Sequence, residues 1–138
     1  MHRSIVWMLV LGLASCDGAK DEARALAKAV DAFRKAPNEK KPELADALEK
    51  VPCTDVDVCA VKDACMKSAI PTARGIRLQT EVEQGLADVN AGTLAQDSAK
   101  ARGLAPKLVE AKAKSVEGFA ALEDCDNRVT RLKLKYTL

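Results

Sequence analysis

Apolar residues along this chain recur mostly at three- and four-residue steps, the period of a helix with one buried face. From Asp21 to Ala36 they are Ala23, Leu26, Ala27, Val30 and Phe33, and Pro37, which has no amide proton to donate, stops the run. Pro42 suits a helix start, and Leu44, Ala45, Leu48 and Val51 carry the same period to Pro52. A third helix is predicted after Cys53. Thr54 caps it, Asp55 and Asp57 sit in the first turn where the helix dipole favours anions, and Val58, Val61, Cys65 and Ala69 form its face up to Pro71. The longest helix is expected from about Thr72 to Ala91, in register at Ile76, Gln79, Val82, Leu86 and Val89, with Gly75 and Gly85 weakening it or admitting a close neighbour. After a looser segment through Gly103, Pro106 opens a last main helix to Asp124, faced by Leu108, Ala111, Phe119 and Leu122. The tail departs from the pattern. Leu132, Leu134, Tyr136 and Leu138 alternate with Lys133, Lys135 and Thr137, a period of two that fits a strand. No other segment offers it a partner strand, so extension of the last helix or an extended arm is the alternative. The expected fold class is all-α, a small bundle of four to five helices.

Composition changes the picture of the core. Hydrophobic residues make up 48% of the chain, but 24 of them are alanine. Beyond Trp7 the aromatic residues are Phe33, Phe119 and Tyr136 alone. The core is therefore expected to be thin and closely packed. A net charge of +2 is too small to imply a nucleic-acid surface.

The first sixteen residues stand apart. Met-His-Arg-Ser precedes an apolar run from Ile5 to Ala14, which as a helix spans roughly 15 Å, about half the hydrocarbon thickness of a bilayer. That length suits the core of a signal peptide rather than a membrane span. Leu13-Ala14-Ser15-Cys16 resembles the lipobox of bacterial lipoproteins, an aliphatic residue and two small ones before a cysteine. The resemblance covers only these residues. It implies that residues 1–15 are a signal removed on export, that Cys16 carries diacylglycerol and an N-acyl chain such as palmitate, and that residues 16–138 form one lipid-anchored domain. Two or three acyl chains suffice for stable anchoring. The implied location is a bacterial cell envelope, on a membrane facing an oxidising compartment. Asp17 resembles an inner-membrane retention signal of enteric bacteria, a rule other lineages do not follow, so inner and outer membrane both stay open.

Setting Cys16 aside leaves four cysteines, an even number suited to pairing, with three possible connectivities. If residues 55–68 are helical, Cys59 and Cys65 lie about 9 Å apart along the axis and point about 120° apart. Disulfides need Cα atoms within about 7 Å. Those two cannot join, and Cys53 is farther still from Cys65, which leaves Cys53 with Cys59 and Cys65 with Cys125. In the chain-entropy model the long loop contributes about 4 kcal/mol and the short one about 2.4 kcal/mol.

Charge and chemistry narrow the function. Asp31 with Lys35, Asp46 with Lys50, Asp63 with Lys67 and Glu110 with Lys114 are acid-before-base pairs four apart, each worth a few tenths of a kcal/mol on a solvated face. Arg128, Arg131, Lys133 and Lys135 make a basic tail that could touch anionic lipid, or simply complement a helix C-terminus. The only histidine is His2, Ser68, Ser98 and Ser115 stand in no hydrolase motif, and no Cys-x-x-Cys or glycine-rich phosphate loop occurs. No enzyme activity, cofactor or metal site is expected. The leading expectation is a non-catalytic envelope lipoprotein, a structural, adaptor or accessory binding domain, with membrane lipid and another envelope protein as partners. The alternative is a small-ligand or lipid carrier, which predicts an apolar cavity of several hundred Å3 lined by leucine and valine. Peptide mapping of the unreduced protein is expected to yield Cys53–Cys59 and Cys65–Cys125 linked peptides. Free thiols at these positions, or a Cys53–Cys65 peptide, would refute that pairing.

Overall fold

One helix organises the molecule. In the computed structural model, which describes residues 15–138 with side chains from Gly18 onward, α3 runs unbroken from Val56 to Asn90, 35 residues or about 52 Å. The expected signal, apart from the backbone of Ser15, and the Cys16 side chain lie outside the described residues. Around α3 are α1 (Ser15–Lys35), α2 (Lys41–Glu49, entered by a 3-10 turn at Asn38–Lys40), the single turn α4 (Ala99–Arg102), α5 (Leu104–Ala120) and α6 (Leu122–Tyr136). The described residues contain no strand. The fold is all-α, a small disulfide-stapled helical bundle.

Ion pairs and bridges fix the directions. Helix α1 runs alongside α3 in the same sense, with Glu22 at Thr54. The other long helices run against it, α5 beside the second half of α3 (Glu110 at Arg74, Lys107 at Glu81) and α6 beside the first half (Cys125 at Cys65, Lys135 at Asp57). Helix α2 also runs against it, with Asp46 on Arg77 and the carbonyl of Val51 accepting from Lys62. The main core joins Leu26, Val30 and Phe33 of α1, Leu48 of α2, Val58 and Val61 of α3, and Val129 and Leu132 of α6. Phe33 is its buried aromatic ring, and Tyr136 packs against its edge. The second half of α3 and α5 continue past this core as a two-helix hairpin, closed by Leu78, Val82, Leu104 and Ala111.

The structure corrects several sequence expectations. Pro71 does not end the third helix, and the two segments predicted on either side of it are one. An interior proline costs about 3 kcal/mol. Here it lies buried beside the turn onto which α5 packs through Gly118. Ser68 donates to the carbonyl of Gly118 at 2.7 Å, and a Cβ on Gly118 would sit 2.9 Å from the Ser68 carbonyl oxygen. Packing along both halves outweighs the local penalty. The tail is not a strand, because Cys125, Val129 and Leu132 bury a helical face of α6 and Leu134 is left in solvent. The last main helix breaks at Ala121, not after Asp124. Its face is Leu104, Ala111 and Gly118, while Leu108 and Phe119 are exposed.

Charges also behave differently. Among the described residues none of the four expected pairs closes; Asp31 instead meets Lys133, Asp46 meets Arg77 and Glu110 meets Arg74, each on another helix. An acid flanking a helix interface finds the neighbouring helix's base nearer than its own next turn.

Cys53 and Cys59 are bridged, with Cα atoms 5.3 Å apart, and so are Cys65 and Cys125 at 4.6 Å. The second pair is buried in the core and joins the middle of α3 to α6 across 60 residues. Replacing Cys65 and Cys125 by alanine is expected to cost about 4 kcal/mol in urea unfolding, against about 2 kcal/mol for Cys53 and Cys59. Gly118→Ala, whose Cβ meets backbone, is expected to cost about 1–3 kcal/mol. Gly85→Ala, which meets only the movable end of the Leu104 side chain, should cost less.

Candidate functional site

Two ends of the molecule carry features beyond the core. The first is where α1 and α3 begin and α6 ends. Asp55, not Thr54, caps α3, its Oδ1 accepting from the amides of Asp57 and Val58 at 3.0 Å. Thr54 is freed for a different bond. Its hydroxyl and amide both donate to the Glu22 carboxylate, at 2.6 and 2.7 Å, and the Asp55 amide adds a third bond at 3.1 Å. These bonds hold the Glu22 carboxyl below its usual pKa, the Thr54 hydroxyl contributing most. Lys135 on α6 pairs with Asp57, and that hydrogen bond raises its ammonium above the ordinary lysine value. Six residues before Glu22 stands Cys16, so the N-terminus leaves from this end.

The basic tail is largely engaged within the fold. Arg128 pairs with Asp124, Lys133 with Asp31 and Lys135 with Asp57, leaving Arg131 as the member without an ionic partner among the described residues. The serines are engaged as well. Ser68 and Ser115 donate to backbone carbonyls, and Ser98 caps α4 by accepting from Ala101. Among the described residues no group of three His, Cys, Asp or Glu side chains is placed to hold a metal, and no helix is long and apolar enough to cross a membrane.

The second end is the hairpin, whose two faces differ. Two ion pairs bridge one of them, Arg74 with Glu110 and Glu81 with Lys107 at 2.6 Å each, and a third, Asp88 with Lys100 at 3.7 Å, ties α4 to α3. The other is apolar. Between α3, α4 and α5 an open groove of about 360 Å3 is walled by Val82, Leu86 and Val89 on one side and Leu104 and Leu108 on the other. The apolar surface continues along α5, where Phe119 is 78% exposed, Val109 71%, Val116 62% and Leu108 51%, and Leu86 on α3 is 50% exposed. Single exposed apolar residues such as Val109 are ordinary, but Leu86, Leu108, Val116 and Phe119 share one face of the hairpin and form a patch of the kind that marks contact sites. Sequence periodicity found Leu86, Leu108 and Phe119 and assigned them to the core. What it missed is that alanine and glycine close the α3–α5 contact so tightly that these larger side chains are left outside.

Compared with known proteins, the chain matches no family model, no curated protein and no solved structure.

The Glu22 bonds make a pH prediction. Folding favours the charged carboxylate, so its contribution is fully present above the ordinary glutamate pKa and is lost as acid protonates the folded state. The melting temperature of Glu22→Gln should therefore fall below that of the parent at pH 7, and the gap should narrow as the pH drops below the ordinary glutamate pKa. A gap unchanged by acid would show that the carboxylate charge contributes nothing.

Proposed function

We propose that this chain is a non-catalytic lipoprotein of the cell envelope that works by contact, as a structural, adaptor or accessory binding domain. In this reading Cys16 is acylated, the end containing Glu22, Thr54 and Lys135 faces the membrane, and the hairpin is the working end. The observation that carries it is the apolar face of the hairpin, which lies along the half of α3 remote from the N-terminus. Helix α1 starts at the lipobox itself, so acyl chains on Cys16 would hold the bundle directly at the surface with no linker between. Two disulfides suit the oxidising compartment that such export implies. Membrane lipid is one partner, and a protein that covers the hairpin is the other.

The Leu- and Val-walled groove favours a second reading, a carrier of a small apolar ligand. Its volume falls in the range of ligand sites, but an open trough on a hairpin leaves much of a ligand in water, whereas such sites enclose most of it. Saturable binding of a fluorescent fatty acid, abolished by Leu86→Asp, would favour the carrier.

Anchoring is tested by labelling with palmitate. Label and membrane association are both expected in the parent, and both are expected to disappear in Cys16→Ser. Label-free protein that still pellets with membranes would overturn the lipid anchor.

A further inference from the structure

Helical spacing puts Ala105, Leu108, Lys112, Val116 and Phe119 along one side of α5, and Gln79, Glu83, Leu86 and Asn90 along one side of α3. The groove between Leu86 and Leu108 shows that both stripes lie on the same face of the hairpin. Two charges of the hairpin interrupt this face, Lys112 on α5 and Glu83 on α3, and Glu39 of the 3-10 turn borders it beside Glu83. Among the described residues neither has an ionic partner, although the opposite face of the hairpin is bridged by two ion pairs. Glu83 accepts only from the Gln79 amide, at 2.9 Å. An apolar face with one unpaired base on one helix and one unpaired acid on the other is complementary to itself.

Resting on the anchored reading above, we propose that this face pairs with the same face of a second copy held in the same membrane, the two hairpins standing side by side and pointing the same way. The charges select this arrangement. A two-fold axis along the hairpins sets α5 of one copy against α3 of the other, so that Lys112 meets Glu83 twice. An axis across the hairpins would instead oppose α3 to α3 and α5 to α5, bringing like charges together. Register agrees. Lys107 lies opposite Glu81, so Lys112 and Glu83 differ in height by roughly 10 Å. Side chains lean towards the N-terminus of their own helix, which aims Lys112 towards the hairpin tip and Glu83 away from it, each towards the other. The tether agrees as well, because only a parallel pair keeps both N-termini on one side.

The size of the patch explains why the membrane matters. Its four large side chains, Leu86, Leu108, Val116 and Phe119, offer roughly 400 Å2 per copy, within the range of the largest patch a monomer ordinarily exposes, so pairing buries about 800 Å2, the size of a weak, transient contact. Free in solution such a pair is weak. Confinement to one surface raises the effective concentration of each copy for the other and favours the dimer.

The test uses the full chain in isolated membranes, with Leu86→Cys treated with a short bis-maleimide. Leu86 lines the groove between the two helices, so at equal height it lies across the axis from its own copy and a covalent dimer is expected. A pairing of α3 with α3 would also cross-link but would not respond to the charge reversals as a parallel pair does. Lys112→Glu or Glu83→Lys alone should lower its yield at least fivefold, and the two together should restore it to within twofold. Both positions are exposed, so the variants should keep the parent's melting temperature. Absence of the dimer from membranes that retain palmitate-labelled protein overturns self-pairing and leaves the anchored reading intact. So does a dimer indifferent to the charge reversals, or cross-linking to a different protein. Loss of the label overturns the anchored reading instead.

Discussion

Everything in this structure is measured along α3, and α3 depends on helix geometry surviving an internal proline. The ring of Pro71 removes one amide donor in the middle of 35 residues. The helix passes through because the same turn is gripped from two sides. Gly118 presents no side chain, so α5 comes down onto Ser68 and Thr72, and six residues earlier Cys65 is bonded to α6. Had the chain broken at Pro71, the hairpin and the bundle would be two units joined by a flexible elbow.

The thin core follows from the same packing. Alanine and glycine let helices approach closely but bury little area per residue, at about 25 cal/mol per Å2 of apolar surface. Stability then leans on covalent closure, and the buried bridge is placed where it constrains the longest loop. The cross-helix ion pairs follow too, since closely packed helices bring their flanking charges within reach of one another. Exposed pairs contribute little each. Their value here is in register, fixing which turn of α5 faces which turn of α3.

Much of the architecture could be read from residue spacing. The first two helices, the end of α3 at Asn90 and both bridges follow from period, proline and the reach of a disulfide. Three things did not follow. Pro71 reads as a stop because local sequence carries no trace of a neighbour that compensates it. The alternation from Leu132 to Leu138 imitates a strand because the residues that bury the helical face, Cys125 and Val129, lie outside that short window. The exposed stripe of α5 reads as core because a helix with two apolar sides looks, in one dimension, like a helix with one broad side. Leu108 and Phe119 belong to the second side, and only the position of α3 against Leu104, Ala111 and Gly118 tells the two apart.

The hairpin turns chain length into height and azimuth. Each residue added to α3, with one added to α5 to match, lifts the tip by about 1.5 Å and turns its face by about 100°. Single insertions would therefore point Leu86 and its neighbours in a new direction, whereas paired insertions of seven residues would raise the tip by about 10 Å with its azimuth nearly unchanged. Length variation in such an arm is quantised, tolerated in steps of two turns and penalised between them.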